Sequence, residues 1–269
     1  MSLDEITIRQ PDDWHLHLRD GAVLRSVLPY TAKVFGRAII MPNLTPPIDN
    51  IQLAIDYRNR ILQSLPSEVS FTPLMTVYLK DNLSPNLVKE GFLDGVLFAA
   101  KLYPANVTTN SSEGVTRIRN IYSILETMQE VDMPLLIHGE VNDQDVDIFD
   151  REAVFIERNL IPLLKDFPNL RVVLEHITTS HSVDFVQSSL NKIAATITPH
   201  HLHINRNAMF KGGLRSDFYC LPVAKRERHR LALRKAATSG NSCFFIGSDS
   251  APHLRQDKES SCGCAGIFN

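Results

Sequence analysis

The sequence predicts an α/β protein in which strand–helix units close into a (β/α)8 barrel of the TIM type. Three observations carry that expectation. Short apolar runs alternate with longer amphipathic ones along the 269 residues, the pattern of a parallel sheet covered on both faces. Eight such runs can be counted, the number that closes a barrel. Most of those runs end in His, Lys or Asp, and in a barrel the C-terminal strand ends ring one site. An open doubly wound sheet is the competing architecture, but no glycine-rich phosphate loop follows the first run.

The elements follow in order. Residues 6–18 read as a first strand and 22–33 as a helix. Residues 37–41 form a compact apolar strand stopped by Pro42. Ile51, Ala54, Ile55, Ile61 and Leu62 give residues 51–63 helical periodicity. A third strand spans 70–78 despite Pro73. A short helix over 84–90 takes Ser84 as N-cap and Pro85 at its first position. Strand four covers 96–101 and a helix 115–130, with Ile118, Ile121, Tyr122 and Leu125 on one face. Strands five (134–138), six (171–176) and seven (193–198) alternate with helices over 148–164 and 183–190. Residues 199–222 read as irregular, 224–239 as a helix and 243–249 as the eighth strand. After it, residues 250–269 are rich in Lys, Ser, Cys and Gly, and no eighth amphipathic helix is visible. The expectation is one barrel domain over 1–269 that lacks its eighth helix and C-terminal segment, as a truncation of a longer enzyme would. Phe244 or Phe245 would then lie uncovered.

Bulk properties narrow the function. With 43% hydrophobic and 22% charged residues the composition is that of a soluble globular protein. A net charge of −2, without a basic stripe, gives no reason to expect nucleic acid or an anionic membrane as partner. No run approaches the ~20 apolar residues of a membrane span. The acidic start, Met1 to Glu5, is not a signal peptide. Four cysteines in a chain of this length make no disulfide framework, so a reducing cytoplasmic setting is expected. Cys262 and Cys264 are read as free thiols.

The strand ends carry the chemistry. His15 and His17 share one face of the first strand, because side chains alternate along it. An isolated H-x-H is as easily a pair of edge histidines. Strand two leads to Asn43, and strands four, five, six and eight end in Lys101, His138, His176 and Asp249. Four imidazoles and a carboxylate converging on one point suit zinc or a similar ion, not calcium or magnesium. Lys101 cannot ligate as an ammonium. Carbamylated by carbon dioxide, it becomes an anionic ligand able to bridge two metals, one on His15 and His17 and one on His138 and His176. Asp249 would complete the first set. A hydroxide between two cations is a strong nucleophile near neutral pH, and Asp249 can take its proton and return it to a leaving amine. The chemistry indicated is hydrolysis, or the reverse condensation, at a polarised carbonyl.

With those residues assembled, several stretches resemble the amidohydrolase superfamily and, within it, the shorter bacterial and fungal dihydroorotase family. They are residues 11–20 (PDDWHLHLRD), 41–47 (MPNLTPP), 101–105 (KLYPA), 137–140 (IHGE), 175–179 (EHITT), 247–253 (GSDSAPH) and 258–266 (KESSCGCAG). The resemblance covers essentially the whole chain. It implies a barrel with two zinc ions bridged by N6-carboxylated Lys101, one held also by His15, His17 and Asp249, the other by His138 and His176. It implies interconversion of N-carbamoyl-L-aspartate and L-dihydroorotate in pyrimidine biosynthesis, with Asp249 as proton shuttle, and a homodimer. It also implies substrate contacts from Arg19, Asn43, His138, Leu221, His253 and Ala265. Thr108 and Thr109 would reach the substrate from a closing loop. Arg19 offers a planar fork that suits a carboxylate. His200, His201 and His203 are read as loop histidines outside the ligand set. Two other readings stay open: a hydantoinase-like cyclic amidase, and a non-catalytic barrel.

Overall fold

A computed structural model describes residues 5–189 and 193–269. Among them, eight parallel strands form one sheet in chain order: β1 (Asp12–Leu16), β2 (Arg37–Ile40), β3 (Thr72–Tyr78), β4 (Ala99–Leu102), β5 (Leu135–His138), β6 (Val172–Glu175), β7 (Ile193–Ile197) and β8 (Phe244–Ile246). Closure runs just beyond β8. Leu16 pairs with Ser250, the His17 amide donates to the Ser250 carbonyl at 3.1 Å, and the Asp249 amide donates to His15 O at 2.9 Å. The sheet is therefore a barrel, and the open doubly wound alternative is excluded.

Helices α1 (Gly21–Val34), α2 (Ile51–Gln63), α3 (Pro85–Leu93), α4 (Tyr122–Glu130), α5 (Arg151–Phe155), α6 (Ile161–Asp166), α7 (Ser180–Ser188), α8 (Pro199–His203), α9 (Glu227–Ala237) and α10 (Arg255–Lys258) accompany the strands. Their caps are local. The Asp20 carboxylate accepts from Gly21 N at the start of α1, Asn50 Oδ1 from Leu53 N at α2, and Thr179 Oγ1 from Ser182 N at α7. Leu24, Leu28 and Ala32 of α1, and Ala54, Tyr57 and Ile61 of α2, are buried at helical spacing.

Two apolar layers result. The large outer layer holds Leu16, Leu18, Ala38, Ile40, Ala100, Leu102, Leu135, Ile137 and Leu174 against the helices. A small inner one holds Ile39, Met41, Ala99 and Leu136 with Trp14, Leu74 and Val173. The two-residue period of a strand then puts Lys101 above Ala99, His138 above Leu136 and Glu175 above Val173. Strand β1 departs from that alternation. Its register to β2 shifts between Asp13 and Leu16, so Trp14 joins the inner layer while His15 also turns to the barrel centre. Bulges of this kind re-aim side chains beside functional sites.

Several expected elements differ. Residues 6–10 are not strand: Ile6 and Ile8 alternate as a strand would, but they are 69% and 72% exposed and no strand among the described residues pairs with them. The helix expected over 115–130 begins only at Tyr122, after a 3-10 turn at Ile118–Ile121. Val115 instead bridges Pro104, and Asp81 holds Thr116 and Asn120. Between α5 and α6 the chain widens into a π turn (Ile156–Leu160) just before Pro162, whose missing N–H breaks the regular ladder. Helix α7 starts earlier than expected, at its Thr179 cap, and Leu190 lies outside the described residues. The stretch 199–222 is not wholly irregular; it holds α8 and 3-10 turns at Arg206–Phe210 and Ser216–Phe218. Strand β8 has three residues. Phe244 is buried and Phe245 packs edge-on against Trp14 at 5.9 Å, so the exposed apolar residue of this strand is Ile246, at 40%.

Candidate active site

The ends of five strands, β1, β4, β5, β6 and β8, bring the expected polar residues together. His15 Nε2 and His17 Nε2 lie 3.2 Å apart, and Asp249 Oδ1 is 3.3 Å from the first and 3.1 Å from the second. The rings of His138 and His176 stand 4.7 Å apart, and those of His15 and His176 4.9 Å. Lys101 is fully buried, and its ammonium meets the Glu175 carboxylate. Strand β6 ends in Glu175, not His176. His176 reaches the centre through a left-handed backbone (φ 42°), its amide held by Thr196 Oγ1 at 2.6 Å. Asp249 (φ 46°) and Arg19 (φ 58°) also sit in this sparsely populated region, where strain concentrates at functional sites. Gly247 lets the chain pass: a Cβ there would lie 2.8 Å from His15 Cβ.

Burial sets the charges. It holds all four imidazoles below their ordinary range, His17 at about 3, so each ring is neutral near neutral pH and keeps one nitrogen lone pair. Burial pushes Asp249 up, but the His15 and His17 contacts outweigh it and keep the carboxyl ionised. Burial likewise disfavours the ammonium form of Lys101. A metal fits these donors. Three zinc-type atoms from His15, His17 and Asp249 converge, and His15, Glu175 and His176 bring a second such group within 4.8 Å. In that second group His176 Nδ1 and Glu175 Oε1 are buried without a hydrogen-bond partner, the condition a bound cation relieves.

Around this centre the cavity is lined by Arg19, Asn43, Thr108, Thr109, His138, Leu221 and Ala265, as expected, and also by Tyr103, Ala251 and Gly266. His253 does not line it. It stands behind, with Nε2 3.3 Å from Arg19 Nη2 and 2.9 Å from the Ala265 carbonyl. Arg19 Nε donates to Pro252 O at 3.0 Å. The Thr108–Thr109 loop is closed: Asn43 Nδ2 donates to Thr109 O at 3.1 Å, Asn110 Nδ2 to Asn43 O at 2.9 Å, and Thr109 Oγ1 to Ala265 O at 3.4 Å. His200 and His201 lie on α8, with His203 at its end. Both ring nitrogens of His201 are taken, by Thr198 Oγ1 and Pro222 O, so its proximity to His200 and Cys220 makes a poor ligand set.

Three acids had no assigned role in the sequence. Glu140 accepts from His138 Nε2 at 2.8 Å, which leaves Nδ1 of that ring with its lone pair. Glu175 Oε1 faces His15 Nδ1 at 2.9 Å, out of line for a hydrogen bond. Asp13 accepts from His15 N, Ser248 N and Ser248 Oγ, and so ties the start of the barrel to its end. The only signal was their nearness in sequence to the histidines and to Asp249.

Comparison with known proteins identifies the family. The model of the amidohydrolase family matches residues 12–268. A dihydroorotase of Synechococcus sp. (strain RCC307) is 65% identical over 266 residues, 99% of this chain and 77% of that protein. The crystal structure of Saccharomyces cerevisiae dihydroorotase in complex with 5-fluoroorotic acid superposes with a TM-score of 0.89 at 36% identity, covering 96% of this chain and 74% of that one. Campylobacter jejuni dihydroorotase gives 0.87 at 38% identity, over 97% and 73%. The chain is thus a hydrolase of cyclic amides, and it belongs to the amidohydrolase family, among the dihydroorotases.

Proposed function

We propose that the chain, as one barrel domain over 1–269, interconverts N-carbamoyl-L-aspartate and L-dihydroorotate with two zinc ions, in the cytoplasm, as a homodimer and as a step of pyrimidine biosynthesis. The observation that carries the metal part is the convergence of His15, His17 and Asp249 beside His176 Nδ1 and Glu175 Oε1, two buried atoms without a hydrogen-bond partner among the described residues. His15, His17 and Asp249 would hold one ion, His138 and His176 the other, and carboxylated Lys101 would bridge them. When bound, the ions supply Lewis acidity that polarises the ring carbonyl and acidifies water. Burial favours the neutral Lys101 amine, the form that reacts with carbon dioxide. Carboxylation would set a second anion against Glu175, and cations are what offset that repulsion. Lysine modification and metal binding therefore go together.

The remaining residues handle substrate and proton. Arg19 presents the rest of its guanidinium fork to the cavity for the substrate carboxylate, with Asn43, Leu221 and Ala265 around the ring, while His253 Nε2 either donates to Ala265 O or accepts from Arg19, according to its tautomer. Thr108 and Thr109 close over it and exclude water. Asp249 takes the proton released on attack and returns it to the ring nitrogen as the amide opens. A hydantoin ring without a carboxylate would leave Arg19 unpaired, which favours dihydroorotate over the hydantoinase reading.

The test is metal analysis with turnover on the purified chain. We expect close to two metal equivalents, loss of dihydroorotate hydrolysis on chelation and recovery with zinc. A metal-loaded chain that turns over neither dihydroorotate nor N-carbamoyl-L-aspartate would sink the proposal.

A further inference from the structure

Lys258, at the end of α10, is 9% exposed and lies outside the cavity. Its ammonium donates to Cys264 O at 2.8 Å, Gly266 O at 2.9 Å and Tyr219 O at 3.1 Å. All three donors of the side chain are thus accounted for. The acceptors come from two separate stretches of backbone. Cys264 and Gly266 flank Ala265, and Tyr219 precedes Leu221 by two residues. Ala265 and Leu221 both line the cavity, as Arg19 does. Three carbonyl dipoles aimed at one buried point repel one another unless a cation sits among them. A single ammonium therefore holds together two segments that would otherwise spread.

The backbone it holds is under constraint. Cys264 is left-handed (φ 34°), and a Cβ on Gly266 would lie 2.6 Å from Ala251 O. Gly266 N also donates to Tyr219 O at 3.0 Å, which joins the same two stretches. Ala265 O, set between the two pinned carbonyls, accepts from His253 and from Thr109 of the closed loop. Moving Ala265 would disturb the His253 ring beside Arg19 and the lid together.

We infer that Lys258 is a positioning residue for the substrate-facing wall: by clamping Cys264 and Gly266 to Tyr219 it fixes Ala265 and Leu221 in the cavity that Arg19 also lines. This rests on the function proposed above, because the wall is taken to face dihydroorotate. Lys258 touches no candidate metal ligand, so the clamp should act on substrate affinity and leave the metal centre intact.

The experiment compares Lys258→Met, which fills the space without donors, with Lys258→Arg and Lys258→Gln, which keep some. Lys258→Met should retain metal content, raise KM for dihydroorotate and weaken orotate binding by about tenfold or more, and change kcat much less. Arginine and glutamine should recover part of the loss. Hydrogen exchange should quicken in residues 262–267 and 219–222 and stay unchanged in β4 and β5. An unchanged KM with unchanged orotate affinity overturns the assignment. So does parallel loss of metal and kcat, the mark of a merely structural lysine. If the methionine variant does not fold, the glutamine variant carries the same comparison. A wild-type chain inactive on both substrates refutes the proposed function instead; in that case unchanged exchange in the two segments refutes the clamp independently.

Discussion

The two halves of the candidate metal site are built differently. The seam half, His15, His17 and Asp249, comes from β1 and the stretch after β8. Its atoms already converge within 3.3 Å, on backbone fixed by Asp249 N to His15 O and by Asp13 to Ser248. The strand half, Lys101, His138 and His176, stands on or just past the ends of neighbouring strands β4 to β6. There the side chains turn to acids: Lys101 to Glu175 and His138 to Glu140. In the seam half a buried carboxylate, Asp13, grips the backbone that carries the ligands, whereas in the strand half Glu140 and Glu175 contact the ligand side chains themselves. The seam half should therefore hold its geometry without help, while the strand half depends on Glu140 and Glu175.

The sharpest way to break this contrast is Asp249→Asn. It removes a ligand from the seam half and the proton acceptor at once, so kcat should fall by about 10²–10⁴-fold. Steady-state turnover with metal analysis reads it, and activity within a few-fold of wild type would deny Asp249 both roles. Next in size is Glu140→Gln. Losing the carboxylate that orients His138 should cost roughly 10–100-fold in metal affinity. The contrast requires that only one of two equivalents is lost in a chelator titration; equal loss of both would show that the halves do not act separately.

The smallest effect is on stability, in the metal-free chain. Burial holds His17 near 3, against 6.5 for an ordinary imidazole. Below about pH 6.5 the unfolded chain takes up a proton that the folded chain refuses. Stability is thus full above that pH and falls as pH drops toward 3. The loss is about 1.4 kcal/mol per pH unit for each such histidine. Urea unfolding at pH 7, 6 and 5 measures the slope, and His17→Asn should flatten it by about one proton. An unchanged slope would mean that His17 already titrates normally when folded.

Much of this was legible in the sequence because the barrel writes its ligands at the ends of apolar runs. Lys101 and His138 follow from strand alternation alone. His15 and His17 do share a centre, but through a bulge that also turns Trp14 inward, and no local pattern marks a bulge. His176 and Asp249 come in through left-handed backbone, which neither residue type announces. The acids were harder. Glu140 and Glu175 sit beside histidines in the chain, yet sequence adjacency does not say which imidazole a carboxylate will face. Lys258 was hardest, since one of its acceptors, Tyr219 O, lies 39 residues away. The first strand and the 115–130 helix were overdrawn for the opposite reason: their periodicity was right, but Ile6 and Ile8 stay exposed and unassigned to the sheet, and Asp81 captured Thr116.

The bonds from Asp13 to Ser248 span 235 positions of the chain. Contacts that distant close late, because the loop entropy must be met first. During synthesis from the N-terminus, β4 to β6 can assemble long before Ser248 leaves the ribosome. The strand half of the candidate site would then be in place before the seam half, which needs the two ends of the chain to meet. Uptake of a second metal would then mark the moment of closure, so that a metal-sensitive signal could time the final step of folding in a growing chain.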